Sequence, residues 1–248
     1  MRSLISIVLS LSLLLFISSV ASASKAPDTT DIQLKTANMS MPFMTNEGQF
    51  PDEIKYAAKT FGGSVYLTNA GQVIYILPKR DKNERMNKGR LSEMETAGNS
   101  RGIRGVAIKE ELVGATITDI AASSETDTIL NFFIGNDPSK WKTGLKAREI
   151  VHLGQVYKGI GMQLRAYGNN VEKIFTVSPN IDPRQIEISL SGVDKINLDN
   201  RGMLQAETAL GTVSFTRPVA YQEIGGIRKN IEISYEIKDG NQIGRAHV

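Results

Sequence analysis

The chain has 248 residues, is 41% hydrophobic and 22% charged, and carries a formal net charge of +3 with no cysteine. The missing thiols exclude disulfide staples, cysteine nucleophiles, iron–sulfur ligation and thiolate zinc sites in one step. So small a charge excess excludes electrostatics as the main selector of partners, and no nucleic-acid partner is expected.

The N-terminus carries the first signal. Arg2 gives a positive start, LISIVLSLSLLLFISSV is an uncharged apolar run, and Ala21-Ser22-Ala23 is an Ala-x-Ala site. Those parts predict a secretory signal peptide over residues 1–23, cut before Ser24. A spanning helix is the competing reading, because the run approaches membrane length; the serines and the small-residue exit favour cleavage. No cysteine follows the run, so a lipid anchor there is excluded. Export, to the medium or the cell surface, is the expected destination, with no membrane span after cleavage. About 225 residues remain, enough for one large β domain or two small ones.

After a linker at 24–42, the expected domain runs from 43 to 242. SVYLT and QVIYIL flank the turn NAG, and GMQLRAY and VEKIFTV flank the turn at Gly168 to Asn170. IEISL alternates Ile186, Ile188 and Leu190 with polar residues, and IEISYEI repeats the device from Ile231 to Ile237. Gly225-Gly226 reads as a two-residue hairpin turn. No mature segment keeps apolar spacing of three and four over a helix's length. Short strands at regular intervals predict an all-β, antiparallel, sandwich-type fold, with two packed subdomains as an open alternative. Two internal echoes, LTNAGQV with LDNRGML and ELVGA with SLSGV, are explained as well by shared turn chemistry as by duplication.

Residues 78–105 break the rhythm, with eight basic and four acidic residues. They read as a mobile charged insertion; a polyanion-binding arm would interleave aromatics, and this stretch has none. At the other end, Ile243 to Val248 match the translation of a common sequencing adapter. Residues 243–248 are therefore expected to be adapter-derived, Arg245 and His247 included, with the gene running on beyond the fragment.

The sequence offers little catalytic chemistry. His152 lies in a predicted strand, and no Gly-x-Ser-x-Gly elbow accompanies it. Gly159-Ile160-Gly161 lacks the rest of a phosphate loop. Glu47, Asp52, Glu53, Asp137 and Glu172 are nominal carboxylates for glycoside hydrolysis, but sequence spacing cannot pair them. Asp194, Asp199 and Asn200 do not make a calcium loop, and DNRG reads as a turn. No catalytic residue, metal or cofactor is expected.

Three segments carry a resemblance. PFMTNEGQFPDEIKYAAKTFGGSVYLTNAGQV contains Asn46, Gly48 and Gln49. NFFIGNDPSKWKTG contains Gly135, Asn136, Asp137, Pro138 and Trp141. The long run from Val156 contains Gly159 and closes on Tyr221-Gln222. Together they resemble a β-rich domain of unknown function that opens many bacterial secreted proteins with seven-bladed β-propeller-type repeats. The resemblance implies an N-terminal module of a larger surface protein, with the downstream repeats as its covalent partners and a surface glycan or protein as a further one. It carries no activity. Lys158, Gly161 and Asn180-Ile181 depart from the pattern, which favours Pro, Asp and Gly-Ala there.

The family-signature residues read as structural, and Trp141 behind its Asn-Asp-Pro turn reads as a packing residue. The leading expectation is a non-catalytic exported module for structure, adhesion or presentation. The alternatives are a carbohydrate-binding module using Trp141, Tyr157 and Tyr167, and a secreted hydrolase with paired carboxylates.

Overall fold

The structure, a computed structural model, describes residues 4–12, 41–60, 62–78, 105–117, 119–133, 136–138, 141–168, 170–238 and 242–244. It is almost entirely antiparallel β, with one sheet curled through half a barrel and smaller sheets against it. Among the described residues there is no α-helix, and none is long and apolar enough to cross a membrane. Residues 24–40 of the expected linker and 79–104 of the expected insertion lie outside the described residues. At the neck of that insertion Pro78 pairs with Gly105.

A meander forms the first wall: β2 (Phe43–Thr45), β3 (Ile54–Thr60), β4 (Gly63–Thr68), β5 (Val73–Pro78) and β6 (Gly105–Leu112). Alternate residues point inward, so Val65, Leu67, Val73, Tyr75 and Ile108 are buried; of their immediate neighbours only Thr68, at the end of β4, is buried as well. The second wall is a long ribbon, β7 (Ala121–Phe132) with β8 (Lys142–Tyr157), continued by β9 (Ile160–Tyr167) and β10 (Asn170–Val177). In the β9–β10 hairpin the register matches Val177 to Ile160, Phe175 to Met162 and Val171 to Ala166, all buried. Each large side chain so buried contributes about 1.5–3 kcal/mol.

The remaining strands are β11 (Glu187–Ser191), β12 (Lys195–Leu198), β13 (Leu204–Thr208), β14 (Gly211–Phe215), β15 (Val219–Ile224), β16 (Ile227–Ile231), β17 (Glu236–Ile237) and β18 (Gln242–Gly244). β11 joins β6, which carries the meander round to β18. β1 (Leu4–Ser12), inside the expected leader, pairs with β10 on one side and with β14 and β15 on the other. β18 includes Ile243 and Gly244 from the stretch read as adapter; Ile243 is buried and pairs with Ile188.

The strand expected from Ile231 to Ile237 is not continuous. β16 stops at Ile231, residues 232–235 are irregular, and only Glu236–Ile237 pairs again. Here burial outweighs the ladder: Ile233 enters the core, and the Tyr235 hydroxyl donates to Thr216 O at 2.9 Å. The two echoing turns are the same structure. Thr68 N–H donates to Gln72 O and Asp199 N–H to Met203 O, each at 2.9 Å, around glycines with φ +79° and +75°. The echoes occur in opposite chain order, turn before ELVGA but SLSGV before turn, which favours shared turn chemistry over tandem duplication.

Candidate functional site

The β7–β8 ribbon carries a small core of its own. Met44, Ala57, Phe132 and Leu145 cluster there, with Phe50 and Tyr66 packed against them. The Phe50 ring meets Phe132 and Tyr66 edge-on, at centroid separations of 5.9 and 5.5 Å. Alternation then throws the next residue outward, and Phe133 is 59% exposed. It meets Trp141 edge to face at 5.3 Å and 89°, and Trp141 is itself 40% exposed. Ile129, on the same ribbon, is 65% exposed. Trp141 thus stands beside Phe133 on the surface and does not cover the main core.

The turn ahead of Trp141 leaves Asn136, Asp137 and Pro138 exposed, and Trp141 N–H donates to Pro138 O at 3.1 Å. Gly135 lies outside the described residues. Below the turn sits the other signature loop. The Asn46 amide donates to Phe50 O, Pro51 O and Ile54 O, while its carbonyl oxygen accepts from Gly48 and Phe50 N–H. Gln49 adds a bond to Thr45 O and accepts one from Glu47 N–H, both 2.6 Å. Gly48 has φ +99°, a conformation open to glycine at no steric cost. A Cβ there would lie 3.9 Å from the Lys142 side chain. The Asn46 loop therefore meets the β7–β8 ribbon at two points: Phe50 packs on Phe132, and Gly48 lies beside Lys142.

Ionic contacts stiffen the ribbon. Glu125 bridges Lys146 at 2.7 Å and Arg148 at 2.6 Å. The hydrogen bond from Lys146, helped by Arg148, holds the Glu125 carboxyl below its usual range.

The other predicted residues are dispersed. Tyr157, at the far end of sixteen-residue β8, donates to Val113 O and Glu187 O, and burial raises its pKa. Tyr167 ends β9, with the Arg165 guanidinium 6.0 Å from its ring centre. The structure does not gather Trp141, Tyr157 and Tyr167 into one platform. Gly159, at φ +76°, turns β8 into β9, and a Cβ there would press Ile181 at 2.6 Å. Tyr221 and Gln222 lie on β15, Tyr221 with Arg228 stacked 3.8 Å above its ring.

Two polar clusters escaped sequence reasoning. Ser123 Oγ lies 2.6 Å from His152 Nε2, because Ala121 pairs with His152 and places Ser123 on the diagonal. A shallow surface hollow adjoins this pair, lined by His152, Gly154, Gly161 and Thr176 among others. The second cluster is sealed. Lys173 Nζ lies 2.8 Å from Glu110 Oε2, which also accepts from the Tyr75 hydroxyl at 3.0 Å; Lys173 and Glu110 are 2% and 3% exposed. Lys173 also stands 5.2 Å from the Phe215 ring centre. Burial, then the Glu110 charge, push the Tyr75 hydroxyl pKa well up. Shielded from solvent and paired with each other, the two charges brace the core.

The nominal carboxylates fall in three places: Glu47, Asp52 and Glu53 around the Asn46 loop, Asp137 on the ribbon turn, and Glu172 on β10. Among the described residues, no three His, Asp or Glu side chains are grouped to hold a metal ion.

A family described as a domain of unknown function (DUF7948) matches residues 43–246, a span that takes in both signature loops and part of the tail read as adapter. No curated protein and no solved structure matches the chain.

Proposed function

We propose that this chain, which belongs to the DUF7948 family of domains of unknown function, is a non-catalytic exported β module that makes surface contacts through the tip of its β7–β8 ribbon. The observation that carries this reading is the Phe133–Trp141 pair, exposed edge to face on a ribbon anchored by its own small core. Rigid aromatic side chains bury large areas on contact at little cost in side-chain entropy. Lys142, the next residue after Trp141, supplies a polar group at the edge of the pair, as the rims of contact sites do. The leader at 1–23 and the family resemblance support an N-terminal place in a larger bacterial surface or secreted repeat protein, in an adhesion or presentation role.

The buried cluster fits the non-catalytic part, because Lys173 and Glu110 are sealed from solvent. Labelled protein should bind to the surface of the cells that produce it. Retention should fall about tenfold or more in a Trp141→Ala/Phe133→Ala variant, as for two central aromatic anchors. Equal retention by the variant would refute the ribbon as the contact site.

A glycan-binding reading draws on the same exposed Trp141, yet its two tyrosine partners lie elsewhere, Tyr157 tied to backbone carbonyls. Titrating the fluorescence of the one tryptophan with soluble glycans tests it; a saturable change would favour it over a protein contact.

A further inference from the structure

β10 and β15 run parallel to each other, and among the described residues they do not pair directly. β1 fills the space between them, antiparallel to both. It matches β10 at eight positions from Ile5↔Val177 to Ser12↔Asn170, and β15 at five from Leu4↔Glu223 to Val8↔Val219. Two further pairs, Leu11↔Phe215 and Ser12↔Ser214, join it to β14. The register sets Ile5, Ile7, Leu9 and Leu11 opposite Val177, Phe175, Lys173 and Val171, the four buried positions of β10.

We propose that, once the leader has been cleaved off, this gap is a strand-acceptor site for an extended segment of about nine residues donated by a different protein, not by a second copy of this chain. The proposal rests on the export reading, since cleavage before Ser24 takes β1 away. Removing one strand leaves its neighbours roughly 9–10 Å apart, twice the normal spacing. That is too far for backbone hydrogen bonds between β10 and β15. Both strands would present unpaired N–H and C=O groups beside Val171, Phe175, Val177 and Ala220, which are buried. A vacancy one strand wide, flanked by two open edges, is what strand addition completes, with main-chain bonds giving affinity and alternate side chains giving selectivity.

The chemistry of the donor follows from the register. It runs antiparallel to β10 and carries apolar residues at four alternate positions; the positions between them, held in β1 by Ser6, Val8 and Ser10, take polar or apolar residues. The residue opposite Lys173 is apolar, because that ammonium is committed to Glu110. Among the described residues no strand is left over to act as donor, since each from Phe43 to Gly244 already has a ladder partner within the domain.

The test takes the protein as released by export, reads its N-terminal residue, and follows amide hydrogen exchange in β10 and β15. The probe is a synthetic peptide of Leu4–Ser12 flanked by lysines. The control peptide has Ile5, Ile7, Leu9 and Leu11 each replaced by Ser. The proposal expects an N-terminus at Ser24, a monomer, rapid exchange in both strands, and at least about tenfold slowing with the probe but not the control. Three results would overturn it: both strands already protected without peptide in a monomer, which means that the chain closes the gap itself; the same protection in a dimer, which means that a second copy does; or fast exchange that the probe leaves unchanged. An N-terminus that retains Leu4–Ser12 refutes the export reading and, with it, the vacancy. The N-terminal residue alone identifies that case.

Discussion

The two halves of β8 obey one rule to different ends. From Val151 to Val156 its inward side chains enter the main core, where Val151 and Leu153 are wholly buried. From Lys142 to Arg148 the same alternation buries only Leu145, in the small core around Phe132, and Ala147, while Phe133, Trp141 and Ile129 of the same ribbon are exposed. Near the first half, costly charges are hidden: Lys173 and Glu110 neutralise each other out of water. Along the second half, costly apolar groups are displayed. That contrast supports the proposed division of labour, with contact at the exposed Phe133–Trp141 pair and stability in the main core.

Breaking the buried pair should sharpen the contrast most. Lys173→Ala leaves Glu110 charged and unpaired, and is expected to cost about 3–5 kcal/mol of global stability in urea unfolding. A Lys173→Met/Glu110→Leu double variant should recover most of that loss, because it leaves no buried charge. Phe132→Ala should cost about 3 kcal/mol. Hydrogen exchange should place that loss in residues 142–148 while 151–156 stay protected; equal loosening of both halves would abolish the distinction drawn between them.

Asn46→Ala removes five hydrogen bonds under the ribbon and should cost about 1–3 kcal/mol, since the backbone groups it serves regain only part of that from water. Alkali should act on the core before the ribbon. Burial raises the hydroxyl pKa values of both Tyr75 and Tyr235 above their unfolded value near 10. Their stabilising contribution is complete below about pH 10 and is lost as pH rises beyond it, because the unfolded chain ionises first. Tyr235→Phe should flatten that alkaline decline in a melting-temperature series. The smallest effect on stability is expected from Trp141→Ala, within about 0.5 kcal/mol, because it is a surface change.

Local chemistry was legible in the sequence. TNAG and DNRG predict turns, and the structure builds both with the same hydrogen bonds. The alternation of GMQLRAY and VEKIFTV predicts the β9–β10 hairpin. Ile231 to Ile237 misled because alternation records which side chains are buried, and Ile233 and Tyr235 reach the core without a ladder. The polar clusters were illegible for a different reason: Lys173 meets Glu110 across 63 positions, and Ser123 meets His152 across 29, through register alone. The trio Trp141, Tyr157 and Tyr167 looked compact in sequence, yet a strand advances about 3.3 Å per residue and carries Tyr157 far from Trp141. The partner Trp141 does have, Phe133, stood eight residues before it in the same quoted segment.

The central claim is that Trp141 is a contact residue, and its being the one tryptophan in the chain permits a direct test. Acrylamide quenching of its fluorescence would be measured in the free protein and on protein bound to the surface of producing cells. The account predicts appreciable quenching in solution and a marked fall in the quenching constant on binding, as the Phe133–Trp141 face is covered. Bound protein whose tryptophan remains as open to quencher as before would contradict it.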